Sequence, residues 1–240
     1  MEVKTHAIVL RTVKYGESQL IVDLFTREAG RVQFICRVTR SGRTGARRQL
    51  FQPLTMLDVV YDSRPTRSLQ RFRDVQLAKP YTSIPFQPEK LALTLFLAEF
   101  LCYALRGEQR DNLLFDYVAN SLDWLDNVAD HFANFHLVFM LRLSRFVGFY
   151  PNLYAEGRDE WFDLRSGTFV GTRPLHDDCL PPVEASRIKL LMRMTFENMH
   201  VFRMNRQERN RCTDVVLYYY RLHIPDFPQL KSLPVLRELF

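Results

Sequence analysis

A chain of 240 residues, 47% of them hydrophobic, is long enough for one large or two small domains with real cores. Its +6 charge is unevenly placed: residues 1–80 hold 15 Lys and Arg against 7 Asp and Glu, a net of +8, while residues 81–240 hold 18 against 20, a net of −2. This asymmetry points to a polyanion meeting the first part only, with a merely soluble basic face as the plainer reading.

Within residues 3–48 the sequence predicts three short strands joined by tight turns, Lys14–Glu17 and Thr26–Gly30, each with a glycine where positive φ is needed. Leu20, Val22 and Leu24 share one face of the second strand, and Val32, Phe34, Cys36 and Val38 one face of the third. Phe34 is therefore assigned to the core, and Arg31, Gln33 and Arg37 to the opposite side. Thr39–Arg48 has four arginines, two glycines and no acid, so it reads as a loop that cannot bury itself. Phe51–Tyr61 predicts a fourth strand, Asp62–Ser68 a second basic turn, and Leu69–Leu77 a fifth strand. Five strands with long loops fit an OB-type barrel, a fold that often binds single strands, with an SH3-like barrel as the alternative.

Tyr81–Pro88 is a linker, and Pro88 suits the first turn of a helix. Leu91–Leu105 is apolar around its circumference except for Thr94 and Glu99, which marks a buried helix. Its 15 residues fall short of the ~20 needed to span a bilayer. Glu99 is expected to be structural, paired with an arginine or capping backbone groups, because a lone buried charge is costly. Leu113–Leu125 is amphipathic, and Phe132–Phe149 is another apolar helix, ended by Gly148 and Pro151. Trp161–Val170 alternates around a Ser-Gly turn and predicts a hairpin. Helices near Ala185–Met199 and Gln207–Leu222 follow, then a tail that is irregular or a short last helix. The fold class is α+β: an N-terminal OB-type β-barrel, then a mostly α-helical domain with a small β-hairpin insert. The expected domains are residues 1–80 and 81–240.

Arg11, Lys14, Arg31, Arg37, Arg40, Arg43, Arg47 and Arg48 fall on one sheet face and its adjoining loop if strand parity holds. Phosphates need cations along a track, and arginine adds forked hydrogen bonds and planar stacking. Tyr15, at a turn, could stack on a base or simply pack. Nothing here specifies base identity, so sequence-independent binding is expected. In the second part, Arg142 and Arg145 lie on an apolar helix near Phe149. A cationic rim over an apolar floor suits an acidic peptide ending in an aromatic residue; plain surface charge is the alternative.

Catalysis finds little support. There is no Gly-x-x-x-x-Gly-Lys-Ser/Thr loop, which excludes a P-loop NTPase. Asp58 and Asp62 share a face at i,i+4 and could hold Mg²⁺ in a nuclease, but on a barrel rim such acids are more often solvated. Cys36, Cys102, Cys179 and Cys212 are scattered, with neither metal-knuckle spacing nor a disulfide framework. That suits a reducing cytosol, as does an N-terminus without a signal-peptide apolar core.

The stretch Ile-Val-Leu-Arg-Thr-Val-Lys-Tyr-Gly-Glu-Ser at residues 8–18, followed by Leu-Phe-Thr-Arg-Glu-Ala-Gly-Arg at 24–31, closely resembles the start of the bacterial RecO family. The resemblance resumes at Leu141–Pro151 and Leu230–Leu236. It implies a non-enzymatic recombination mediator of DNA repair, cytoplasmic and nucleoid-associated. Such a protein binds single- and double-stranded DNA and anneals complementary strands. With RecR it helps load RecA onto DNA coated by single-strand-binding protein, whose acidic C-terminal tail the helical domain binds. A general single-stranded DNA or RNA chaperone, or a metal-dependent nuclease, stands as the alternative. Many members of the family carry a four-cysteine zinc site after a Gly-x-x-Pro stretch. Here Gly148–Pro151 is followed by no cysteine until Cys179, so the region of about 151–180 reads as a degenerate zinc hairpin with no metal and no cofactor expected. Tyr154, Trp161, Phe162 and Phe169 are the expected replacement core. His176, Asp177, Asp178 and Cys179 are ligands by type, but adjacent ligands make poor tetrahedral geometry.

Overall fold

A computed structural model describes residues 1–37, 48–64, 66–105, 107, 110–152 and 160–240. They form two compact units: Met1–Asn127 with Leu230–Leu239, and Val128–Gln229 with Phe240.

The first unit is built on an antiparallel five-stranded sheet. Its strands are β1 (Glu2–Tyr15), β2 (Gln19–Thr26), β3 (Gly30–Arg37), β4 (Met56–Asp62) and β5 (Phe72–Leu77), in the order β3-β2-β1-β4-β5. Gly16 and Gly30 both adopt positive φ at the turns, as expected. The sheet curls until β3 meets the chain just before β5 at one parallel bridge, Phe34–Gln70, so the OB-type architecture is present without a fully laddered closure. Ala7, Val9, Leu20, Val22, Leu24, Phe34, Leu57, Val59 and Tyr61 fill its interior. Phe34 stacks on Phe72 at 4.3 Å and meets Tyr61 edge-on at 5.0 Å, arrangements that favour ring pairs beyond their burial. The fourth strand is shorter than its apolar pattern suggests, because Arg48–Phe51 coils into a 3-10 turn and Leu54 takes φ +59°. The fifth begins at Phe72 rather than Leu69.

Helices α1 (Pro88–Ala104) and α2 (Asn112–Asn127) belong to this unit. Pro88 sits at the first turn of α1, where its missing N–H costs nothing. α1 packs on β1, Phe25 of β2 meets Phe115 of α2 at 5.5 Å, and Arg27 forms a forked pair with Asp116 at 3.0 Å. α6 (Leu233–Leu239) returns to α1. There Glu99 accepts from the backbone N–H groups of Lys231 and Ser232 at 2.9 and 2.8 Å, the backbone-capping role expected of it.

The second unit contains α3 (Phe135–Phe146), α4 (Pro182–Arg193) and α5 (Arg206–His223). Its small sheet comprises β6 (Trp161–Asp163), β7 (Thr168–Val170) and β8 (Cys179–Leu180), in the order β7-β6-β8. The expected hairpin is thus joined by a third strand of two residues, too short to leave a pattern. Phe162 and Phe169 pack at 4.8 Å and form its core beside Tyr219, while Tyr154 lies outside the described residues. α3 is shorter than its apolar run, and Gly148 leaves it at φ +88°. An Asn205–Glu208 capping box starts α5. Among the described residues no helix is long and apolar enough to cross a membrane.

His136 of α3 is wholly buried against Thr213 of α5, Nε2 to Oγ1 at 2.9 Å. Burial, aided by the nearby Arg209 charge, lowers its pKa to about 3. Near pH 5 the unfolded chain binds a proton on this ring, since its ordinary value is about 6.5, whereas the folded chain refuses it. Stability therefore falls as pH drops below about 6.5, by up to about 1.4 kcal/mol per unit. Urea midpoints between pH 7 and 4.5 should show this slope, and His136→Asn should flatten it.

Candidate nucleic-acid interface

Strand register decides which side chains share the outer face of β1, β2 and β3. Thr12, Val22 and Phe34 lie side by side, with Val22 and Phe34 in the core. Their neighbours must then point outward, giving three rows: Arg11, Asp23 and Gln33; Val13, Ile21 and Ile35; Tyr15, Gln19 and Arg37. The ladder slips between Val9 and Arg11, which sets one extra residue, Leu10, into β1. Without this bulge Arg11 would share the inward parity of Ala7 and Val9; with it, Arg11 faces out.

Arg11, Tyr15 and Arg37 are exposed on this face, and Val13 leaves an apolar step between the basic rows. Lys14 is exposed too, but its register partners Leu20 and Cys36 pack toward the interior, so it sits at the opposite rim. Arg48 is exposed at the start of the 3-10 turn that Phe51 anchors in the core. Arg40, Arg43 and Arg47 lie outside the described residues.

Arg31 differs from the rest. Its Nε and Nη2 donate to both carboxylate oxygens of Asp23 at 2.9 and 2.6 Å, and its Nη1 donates to the Cys102 carbonyl at 2.6 Å. All three nitrogens are thus engaged inside the protein, where the guanidinium ties α1 to the sheet.

Sequence reasoning singled out no residue of the basic turn after β4. Arg64, Arg67 and Arg71 stand exposed there, and the signal that could have marked them is a nine-residue stretch, Ser63–Arg71, without an acid.

In the second unit, Arg142 donates through Nε and Nη2 to the Met194 carbonyl at 3.3 and 3.1 Å, which docks α3 on the end of α4. Arg145 is exposed, its guanidinium 5.1 Å from the Tyr150 ring centre, within cation–π range. Phe149 packs on Tyr219, Tyr220 and His223. Of the two arginines, Arg145 is the exposed one.

The candidate ligands around Cys179 face different ways. Asp177 pairs with Arg173, Asp178 accepts from Arg165 and Tyr218, and His176 approaches Asp163 at 3.5 Å. On β4, Asp58 pairs with His6 at 2.6 Å and not with Asp62. Among the described residues no three His, Cys, Asp or Glu side chains gather as a metal site would require.

A curled OB-type sheet with exposed arginines, an exposed tyrosine and an apolar step shares these features with modules that bind single strands. Comparison with known proteins narrows this class. Residues 1–81 match the family model for the recombination protein O N terminal region, and residues 85–234 that for its C terminal region. The chain is 49% identical over 239 residues to the DNA repair protein RecO of Phocaeicola vulgatus, covering 99% of this chain and 98% of that one. It is 48% identical over 238 residues to that of Bacteroides fragilis, with the same coverage. It is 37% identical over 244 residues to that of Porphyromonas gingivalis, across the whole of both chains. The chain belongs to the RecO family, whose curated members carry the name DNA repair protein.

Proposed function

We propose that this protein is a non-enzymatic recombination mediator of DNA repair, acting in the bacterial cytoplasm at the nucleoid. Residues 1–80 bind single- and double-stranded DNA without sequence specificity, and residues 81–240 bind protein partners. The observation that carries this reading is the charge asymmetry, +8 against −2, together with exposed Arg11, Arg37 and Arg48 at the OB-type sheet. Cations on the protein screen the repulsion between two phosphate backbones, so complementary strands can pair on it with no bond made or broken. With RecR, the protein then helps load RecA onto strands coated by single-strand-binding protein. The acidic tail of that coat protein is drawn to the helical region, with Arg145 as the accessible cation for it.

The arginine-rich segment leading into Arg48 is the strongest part of the DNA track. Changing Arg43, Arg47 and Arg48 together to serine should weaken single-strand binding and reduce the slope of log affinity against log salt by about 2, roughly 0.7 for each lost phosphate contact. A fluorescence anisotropy titration at several salt concentrations measures both, and an unchanged slope would remove this segment from the track.

A further inference from the structure

Gln70 is a buried glutamine in a basic loop, and every polar group it owns is used. Its side-chain Nε2 donates to the carbonyls of Arg64 and Arg67 at 3.0 and 2.8 Å, and its Oε1 accepts from the Arg64 N–H at 3.1 Å. Its backbone N–H donates to Gln33 O at 2.8 Å, and its carbonyl accepts from Ile35 N at 2.9 Å. One residue thereby folds the β4–β5 connection upon itself and fastens that connection to β3. A further bond, from Arg67 N to Arg64 O at 3.0 Å, tightens the same turn.

The side chains this turn presents are Arg64, Arg67 and Arg71, all exposed. No ion pair or hydrogen bond of their side chains is found among the described residues, whereas Arg73, two residues on, is tied to Glu2. The fastening point on β3 is Ile35, about 7 Å along the strand from Arg37. The loop therefore comes to the same strand edge that carries Arg37.

We propose that Arg64, Arg67 and Arg71 form a second phosphate-binding element for nucleic acid, with Gln70 as their positioning residue. The inference rests on reading the first domain as DNA-binding. The physical reason for such a clamp is entropic. A turn held in one backbone conformation before binding loses little freedom when a strand arrives, whereas a slack loop must be ordered at that moment. Uncompensated arginines on a fixed backbone suit a ligand with charge along its length, which favours a phosphodiester chain over a compact anion.

Two variants of the full chain separate these roles. Arg64→Ala, Arg67→Ala and Arg71→Ala together should lower the salt slope for single-stranded DNA by about 2, since three phosphate contacts are lost. Gln70→Leu keeps the arginines, so the same contacts form once the loop orders. Affinity at fixed salt should then fall several-fold while the slope stays at the wild-type value, a split that loss of cations would not give. If Gln70→Leu does not fold, the surface arginine variant alone decides. A wild-type slope in the arginine variant overturns the proposal, including the case where that variant loses binding only to a polyglutamate peptide. Absence of salt-dependent DNA binding by the wild-type protein would instead remove the underlying reading of the domain, so the two failures are told apart.

Discussion

Arg31→Ala will lower stability by about 3–5 kcal/mol and leave the salt dependence of DNA binding unchanged. The magnitude follows from burial: the Asp23 side chain is 2% exposed, and removing its partner strands a carboxylate that has left water. The lost contact to the Cys102 carbonyl adds to the cost. The unchanged slope follows from occupancy, because a guanidinium with three nitrogens already donating inside the protein has little left for a phosphate. Urea unfolding beside the DNA titration distinguishes the outcomes. A stable variant whose slope drops by about 0.7 would return Arg31 to the DNA track.

Asp126→Ala should cost about 3 kcal/mol. The Asp126 carboxylate accepts from the N–H groups of Thr82, Ser83 and Ile84 at 2.8, 2.8 and 2.9 Å, and so clamps the linker between sheet and helices onto the end of α2. Burial pushes its pKa up, but the backbone donors of Thr82, Ile84 and Ser83 outweigh this and hold it down at about 2. At 1.36 kcal/mol per unit, that preference for the carboxylate alone is worth roughly 2 kcal/mol. Three N–H groups left without their acceptor supply the rest. The buried Lys90 ammonium beside it, bonded to Ser83 Oγ at 2.6 Å, also loses a favourable charge. The folded value lies below the ordinary 3.8, so this contribution is present above about pH 4 and fades as pH falls toward 2. That window overlaps the one in which His136 acts only between about pH 3 and 4, so a pH series on the wild type and on His136→Asn resolves the two. A urea midpoint for Asp126→Ala within a few tenths of a molar of wild type would refute the clamp.

These two residues mark where the sequence could and could not be read. Period-2 alternation placed Phe34 in the core and Arg31 and Arg37 outward, and the structure has them so. Glycine at the two turns and proline at the start of α1 were legible because each carries a local backbone requirement. Outward was not the same as free. Arg31 meets Asp23 and Cys102 through pairings eight and 71 residues away, which no local pattern encodes. The bulge at Leu10 left no mark either, since Leu10 is as apolar as its neighbours, yet it decides the face of Arg11. The sequence places Arg142 as a rim cation beside an apolar floor, and nothing local in it marks that Nε and Nη2 donate to the Met194 carbonyl at the end of α4. The basic turn after β4 was visible as composition, while the contribution of Gln70 to it depends on a cross-sheet bridge. Charge density is thus a property of the chain, but its availability to a ligand is a property of the packing.

A recombination mediator brings strands together and does not cut them. The most direct measurement follows two labelled complementary strands, naked or coated with single-strand-binding protein, mixed with the intact protein and Mg²⁺, with and without RecR. Naked strands should give full-length duplex, pairing on coated strands should weaken selectively in Arg145→Glu, and no shortened product should form. Shortened strands, or no pairing above the spontaneous rate, would contradict the mediator role.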